Sequence, residues 1–163
     1  MAKTPRFRDA LEILRRHHVD FIVVGGVAAV LNGAPISTFD LDIVHSRASE
    51  NLERLMAALV ELEARYRDPT GRRLLPVSDL LAGDGHHLMM TKCGPLDLLG
   101  TIGKGHAFES LRSSTLEQHL GDLIVLVLDL DALIRIKAET AREKDLGQLA
   151  VLRRTLDEKN RKL

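Results

Sequence analysis

The sequence predicts an α/β or α+β fold, with a mixed sheet of four to five strands flanked by helices. Helical and strand-like segments alternate through the first 65 residues. Two strand-like runs stand close together on either side of residue 93, and one strand followed by two helices ends the chain. The length of 163 residues and the 45% hydrophobic content are enough for one core and short for two. We therefore expect one domain over residues 1–163.

The first half of the chain is predicted to hold three helices and two strands. Apolar residues recur at helical spacing in the helices, and β-branched runs that stop at glycine or follow a loop mark the strands. In chain order these are a helix over residues 5–18, a strand in "DFIVVGG", a brief helix in "VAAVLN", a strand in "FDLDIV" and a helix over residues 48–65.

The second half begins with the turn-rich "DPTGRR" and a short helix after Pro76. Cys93 and Gly94 separate two strand-like runs closely enough for a hairpin. The remaining predicted elements are strands in "HHLMMTK", "PLDLLG" and "LIVLVLD", a short helix or loop in "HAFESLR", and helices in "DLDALIRIKAE" and "EKDLGQLAVLRRTLDEK". The last two form a helical region over about residues 129–160.

Composition excludes several classes of protein. Lys plus Arg and Asp plus Glu both number 23, so the chain as a whole has no excess charge for gripping a polyanion. One Tyr, four Phe and no Trp leave few platforms for stacking bases. The single cysteine forms no internal disulfide, and the charged N-terminus has no signal-peptide core. With no membrane-length apolar stretch, we expect a soluble, cytoplasmic protein.

Asp40 and Asp42 lie two positions apart inside the apolar run "FDLDIV". On a strand, residues two apart point to the same face, so these two carboxylates would repel each other. A bridging cation removes that repulsion, and hard carboxylate oxygens are the ligands that Mg²⁺ or Mn²⁺ prefers. The alternative is a sheet edge with both carboxylates in water.

The surrounding sequence favours the metal interpretation. Gly25 and Gly26 stand between a strand and a helix start, where free backbone N–H groups can bind phosphate. Downstream, Asp97 is a third carboxylate within an apolar strand-like run. Three acids with a phosphate-binding turn indicate a two-metal phosphoryl or nucleotidyl transfer site.

In order and spacing, Gly25-Gly26, Asp40-Leu41-Asp42 and Asp97 resemble the DNA polymerase β-type nucleotidyltransferase superfamily. The sequence is similar in particular to minimal prokaryotic nucleotidyltransferases, including the nucleotidyltransferase-type toxins of toxin–antitoxin pairs. The segments that carry this resemblance are "GGVAAVLNGAPISTFDLD", "GPLDLLG" and "LDALIRIKAETAREKDLGQL".

The resemblance implies Mg²⁺-dependent (or Mn²⁺-dependent) transfer of a nucleoside monophosphate from an NTP to an acceptor. By matching positions, Asp40, Asp42 and Asp97 would hold the metals, and Asp97 could also help deprotonate the acceptor. Gly25 and Gly26 would contact the triphosphate.

Three further positions are implied as nucleotide-binding residues. Lys137 would reach the phosphates, although an ordinary helix-surface lysine is an equally good interpretation of that residue. Lys144 would orient the late helix or contact substrate. Thr38 could offer a hydroxyl group, or else cap a strand turn.

One position departs from the pattern. Relatives commonly carry a basic residue in the loop before the Asp-x-Asp strand, where this chain has Ile36. This departure leaves open a second hypothesis, a catalytically weak nucleotide-binding protein that acts as a partner subunit in a complex. A phosphohydrolase is a third class, but such sites usually add His ligands, and no His-Asp dyad is present in the sequence.

For the leading hypothesis, the partners are an NTP and an acceptor, which could be an RNA 3′ end such as tRNA, a protein side chain or a small molecule. A cognate antitoxin is an additional expected partner if the chain is a toxin, and no membrane partner is expected.

Overall fold

The structure is a computed structural model that describes residues 4–162. Residues 1–3, at the start of the N-terminal segment that is predicted to have no signal-peptide core, and residue 163 lie outside the described range. Within the described range the chain forms one seven-stranded mixed sheet and seven α-helices.

The elements follow the predicted order closely. The strands are β1 (Phe21–Val24), β2 (Leu41–His45), β3 (Arg65–Tyr66), β4 (His86–Thr91), β5 (Gly94–Leu99), β6 (Thr115–Leu120) and β7 (Leu123–Leu128). The helices are α1 (Phe7–Arg16), α2 (Gly25–Leu31), α3 (Ser49–Glu61), α4 (Ser78–Leu81), α5 (Phe108–Leu111), α6 (Leu130–Glu139) and α7 (Leu146–Arg161). Short 3₁₀ turns at Arg112–Ser114 and Glu143–Asp145 precede β6 and α7.

The sheet has the strand order β3-β4-β5-β2-β1-β7-β6. Strand β2 runs parallel to β5, and β1 runs parallel to β7, while the other neighbours are antiparallel. The predicted mixed sheet is therefore confirmed, with seven strands rather than four to five. The two extra strands, β3 and β6, lie at the two edges of the sheet.

Edge strands leave weak patterns in a sequence. Strand β3 has only two residues, too few for an alternation of apolar and polar side chains. Strand β6 has no fully buried residue, because it pairs with a single neighbour and remains partly open to solvent. The predictions therefore missed the two strands that contribute least to the core.

Two boundaries near the Asp-x-Asp segment differ from the prediction. Helix α2 begins at Gly25, directly after β1, so the two glycines form its first turn rather than a separate connection. Strand β2 begins at Leu41, so Asp40 precedes the strand and only Asp42 lies within it.

The helices pack in two groups. Helix α1 contacts α3 and β7, whereas α2 contacts β1, β2 and α6, and α6 in turn contacts α7. All four residues of β1 are buried, which places this strand at the centre of the core. No helix within residues 4–162 combines the length and the apolar character that a membrane crossing requires.

Candidate active site

Asp42 and Asp97 lie side by side on the two central parallel strands. They are register partners across β2 and β5, so their side chains leave the same face of the sheet. The two carboxyl groups are close enough for each to shift the pKa of the other. Residues 55 positions apart in the sequence therefore form one acidic pair.

The proton balance of this pair follows from its burial. The pKa of Asp42 is raised from 3.8 to about 7. Burial is the largest cause, followed by the charge of Asp97, hydrogen bonding with Asp97 and the charge of Asp40. Burial also raises the pKa of Asp97, while the Arg67 guanidinium and the hydrogen bond from Asp42 act in the opposite direction. Burial and mutual repulsion therefore favour retention of a proton by the pair.

Asp40 lies one residue before β2 and lines the same cavity as Asp42. Its Oδ1 is 3.5 Å from Nη1 of Arg67. The same arginine donates a 2.6 Å hydrogen bond from Nη2 to Oδ1 of Asp97. Arg67, a cation that the sequence analysis did not identify, thus contacts two of the three predicted carboxylates.

Gly25 fits the site for two separate reasons. Its φ of +64° lies in the left-handed region, and a Cβ at this position would overlap the carboxylate of Asp42. A Cβ on Gly26 would lie 2.5 Å from Oγ1 of Thr38. Thr38 donates a 3.2 Å hydrogen bond to the backbone carbonyl of Asp40. The two glycines therefore allow the start of α2 to approach the acidic residues.

A cavity of about 450 Å³ opens beside the acidic residues, a size typical of small-ligand sites. Gly25, Gly26, Thr38, Asp40 and Asp42 line one side of it. Its apolar lining includes Ile36, Leu128, Leu133, Ile136 and Leu152. The cavity thus has a polar end next to the start of α2, and apolar side chains from the loop before β2, from β7, α6 and α7 line the rest together with Lys137 and Gln148.

Lys137 is the single basic residue among the described residues that line this cavity. It lies in α6, and its Nζ is 3.9 Å from Oδ1 of Asp145, so the two residues form an ion pair at the start of the last helical segment. Lys144 is exposed in the 3₁₀ turn before α7 and does not line the cavity. Six of the eight predicted site residues thus line this cavity, Asp97 lies beside it as the register partner of Asp42, and Lys144 lies apart from them.

Arg67 is the site residue that sequence reasoning missed. Ile36 lines the cavity, so the loop before β2 supplies no cation there, and Arg67 supplies one from the opposite edge of the site. Its backbone N–H donates to the Leu88 carbonyl, directly after the short strand β3. The only signal in the sequence was the strand-like "RYR" before "DPTGRR".

The chemistry of the acidic residues fits a divalent cation. Oδ1 of Asp42 is buried and has no hydrogen-bond partner, so a cation would supply the interaction that this oxygen lacks. Among the described residues, however, no three His, Cys, Asp or Glu side chains are grouped closely enough to hold an ion together. Asp40, Asp42 and Asp97 have the right donor atoms, and Arg67 stands between Asp40 and Asp97.

Comparison with solved structures identifies the fold. The lincosamide antibiotic adenylyltransferase LnuA, in its lincomycin-bound structure, superposes with a TM-score of 0.60 at 13% identity, over 91% of this chain and 94% of that chain. ANT(2″)-Ia, in complex with adenylyl-2″-tobramycin, superposes with a TM-score of 0.57 at 13% identity, over 92% of this chain and 87% of that chain. A Thermotoga maritima protein proposed to be a nucleotidyltransferase, TM1012, superposes with a TM-score of 0.56 at 14% identity, over 93% of this chain and 91% of that chain.

The chain has the nucleotidyltransferase fold. No protein-family model matches the sequence. No curated protein sequence matches it either. The likeness is thus one of the whole nucleotidyltransferase fold, and the functional interpretation depends on the residues of the site.

Proposed function

We propose that the protein is a divalent-metal-dependent nucleotidyltransferase that moves a nucleoside monophosphate from an NTP to an acceptor hydroxyl group. One observation carries this proposal: Asp42 and Asp97 are register partners beside the glycine start of α2, at the edge of a cavity lined by Lys137. The nucleotidyltransferase fold of the chain supports it.

The nucleotide is held by the polar end of the cavity. The first N–H groups of a helix have no partner within the helix, so those of Gly25 and Gly26 are free to donate to the triphosphate. Lys137 neutralises phosphate charge from α6, and Thr38 offers its hydroxyl group nearby. Lys144 contributes through the segment that also carries Asp145, the partner of Lys137.

The acidic residues carry the reaction. Asp40, Asp42 and Asp97 would hold the Mg²⁺ or Mn²⁺, which would neutralise the charge that develops on the phosphate oxygens. Asp97 accepts the proton of the acceptor hydroxyl group. The acceptor oxygen then bonds to the α-phosphorus, the bond from the α-phosphorus to the bridging oxygen breaks, and pyrophosphate leaves with that oxygen.

The acceptor is a hydroxyl compound, and a small molecule is supported by LnuA and ANT(2″)-Ia, whose structures contain lincomycin and adenylyl-2″-tobramycin. An RNA 3′ end and a protein side chain are the other two acceptor classes. If the transfer inactivates an essential RNA or protein, the enzyme acts as the toxin of a toxin–antitoxin pair. Its expression would then arrest growth, and a cognate antitoxin would relieve the arrest.

A transfer assay tests the proposal. Protein is incubated with Mg²⁺ and each α-labelled NTP, together with separate pools of RNA, protein and hydroxylated small molecules. We expect label on one pool, and a loss of about a hundredfold or more in Asp42→Asn, because the amide keeps the size of the side chain but removes the charge that holds the metal. Asp122→Asn, in the exposed turn between β6 and β7, is the matched control.

The alternative function is a catalytically weak nucleotide-binding protein that acts as a partner subunit. Ile36 favours it, because the cavity has an apolar side chain where relatives carry a cation. Binding of NTP by the wild-type protein without transfer to any pool would support this alternative. Transfer that persists unchanged in Asp42→Asn would exclude the proposed metal-binding role of Asp42.

A further inference from the structure

Arg67 is held beside Asp97 by the sheet itself. Its backbone N–H donates a 3.0 Å hydrogen bond to the carbonyl of Leu88, and Leu88 is the register partner of Asp97 across β4 and β5. The arginine therefore stands directly after β3, with β4 between it and Asp97. Its position is fixed by backbone pairing rather than by a free loop.

The guanidinium group joins two of the three carboxylates. Nη2 lies 2.6 Å from Oδ1 of Asp97, and Nη1 lies 3.5 Å from Oδ1 of Asp40. The side chain of Arg67 is 27% exposed and that of Asp97 is 14% exposed, so the shorter contact is shielded from water. Partly buried, charge-assisted contacts of this kind are stronger than those at the surface.

This contact uses the oxygens that a divalent ion needs. Oδ1 of Asp97 is already bonded to Arg67, while Oδ1 of Asp42 is buried without a partner. A guanidinium and a divalent ion repel each other, so they cannot occupy the space between Asp40 and Asp97 together. The absence of a three-carboxylate group among residues 4–162 fits this arrangement.

We propose that Arg67 is a positioning residue that stands in for the divalent cation between Asp40 and Asp97, and that metal binding requires its displacement. The inference rests on the proposed function, since it assumes a metal at these carboxylates. Arg67 keeps the acidic residues compensated without metal and makes the protein bind metal less tightly than the carboxylates alone would allow.

Metal binding without turnover tests this inference. Mn²⁺ is titrated into the metal-free protein, and free Mn²⁺ is measured by electron paramagnetic resonance. If Arg67 occupies the site in about nine molecules of ten, Arg67→Ala should bind Mn²⁺ about tenfold more tightly. Its melting temperature without metal should fall, and the rise caused by Mn²⁺ should be larger than in the wild-type protein.

Three variants make the test specific. Arg72→Ala removes a positive charge from a second cavity, which Arg67 and Arg72 both line. Arg72 is 69% exposed and forms a salt bridge with Asp68, so the Mn²⁺ affinity of this variant should stay near that of the wild-type protein. Arg67→Lys keeps the charge, yet one ammonium group cannot replace the two-pronged guanidinium, so an intermediate affinity is expected. Arg67→Gln, which removes the charge but keeps a polar side chain, replaces the alanine variant if the latter does not fold.

The outcomes separate this inference from the proposed function. Mn²⁺ binding that is lost in Asp42→Asn but equal or weaker in Arg67→Ala and Arg67→Gln overturns the role of Arg67 and leaves the proposed function standing. An equal gain in Mn²⁺ affinity in Arg72→Ala also overturns it, because the loss of any nearby positive charge would then explain the effect. If neither wild-type protein nor Arg67→Ala binds Mn²⁺, there is no cation to replace, and the metal-dependent function falls as well.

Discussion

Asp42 and Asp97 are register partners on the parallel strands β2 and β5, and their carboxyl groups are close enough for each to shift the pKa of the other. The pair is half-buried near the centre of the sheet, where two negative charges are poorly solvated. The metal-free protein tolerates the pair by retaining a proton and by placing Arg67 against Asp97. This relationship makes the acidic site a source of pH-dependent instability.

Asp42→Asn should stabilise the metal-free protein at alkaline pH. The pKa of Asp42 is about 7 in the folded protein, against an ordinary value of 3.8 in the unfolded chain. Between these two pH values the folded protein keeps a proton that the unfolded chain has released. The stability that this proton provides is complete below pH 4 and is lost as the pH rises through 7. By pH 8 the variant should be more stable by on the order of 2–4 kcal/mol.

Denaturant unfolding from pH 4 to pH 8 in the presence of a chelator measures this difference. Asp122→Asn, the exposed control, should follow the wild-type profile at every pH. A difference between Asp42→Asn and wild-type protein that does not grow with pH would show that Asp42 is not buried as a proton-carrying group.

Gly25→Ala should lower both stability and metal affinity. A left-handed backbone costs a residue with a side chain about 1–2 kcal/mol, and the added methyl group also displaces the carboxylate of Asp42. Gly33→Ala is the matched control, because its φ is +96° and a Cβ there meets nothing within 4 Å. Equal losses of unfolding free energy in the two variants would exclude close packing of Gly25 on Asp42.

Lys137→Ala should weaken NTP binding in the presence of Mg²⁺ by about tenfold, because a charge-assisted phosphate contact is lost. Arg135→Ala removes a charge from an exposed position of the same helix and should change the affinity little. Calorimetric titration compares them. Lys144→Ala, measured in parallel, tests the predicted contribution of that exposed residue, and equal effects of Lys137→Ala and Arg135→Ala would remove Lys137 from the site.

Ile36→Lys should strengthen NTP binding about fivefold by restoring a cation to the cavity wall. Ile36 is half-buried against the core, so some loss of stability is expected as well. Ile36→Leu keeps the wall apolar and should leave the affinity unchanged. No gain in affinity for the lysine variant, with its fold intact, would mean that the triphosphate lies away from this loop.

The central elements of this fold could be predicted from sequence because their patterns are local. The buried run of β1, the leucine face of α3 and the short gap between β4 and β5 each indicate one structure. Asp40, Asp42 and Asp97 could be predicted as a group because each stands in an apolar run, where a carboxylate needs a physical reason.

The contact of Arg67 with Asp97 could not be predicted in this way. It joins residues 30 positions apart through the two-residue strand β3, which has no periodicity to detect. The start of α2 at Gly25 was also hidden, because glycine ordinarily indicates a turn and here is selected by the proximity of Asp42. Both features depend on tertiary contacts rather than on local preference.

The fate of the phosphates of an NTP tests the central claim most directly. Two parallel reactions contain wild-type protein, Mg²⁺, the acceptor pool that takes label, and NTP labelled at either the α- or the γ-phosphorus. A nucleotidyltransferase places the α-label on the acceptor and releases the γ-label as pyrophosphate, in equal amounts. Appearance of the γ-label on the acceptor, or of the α-label only as free nucleotide, would contradict nucleotidyl transfer by Asp40, Asp42 and Asp97.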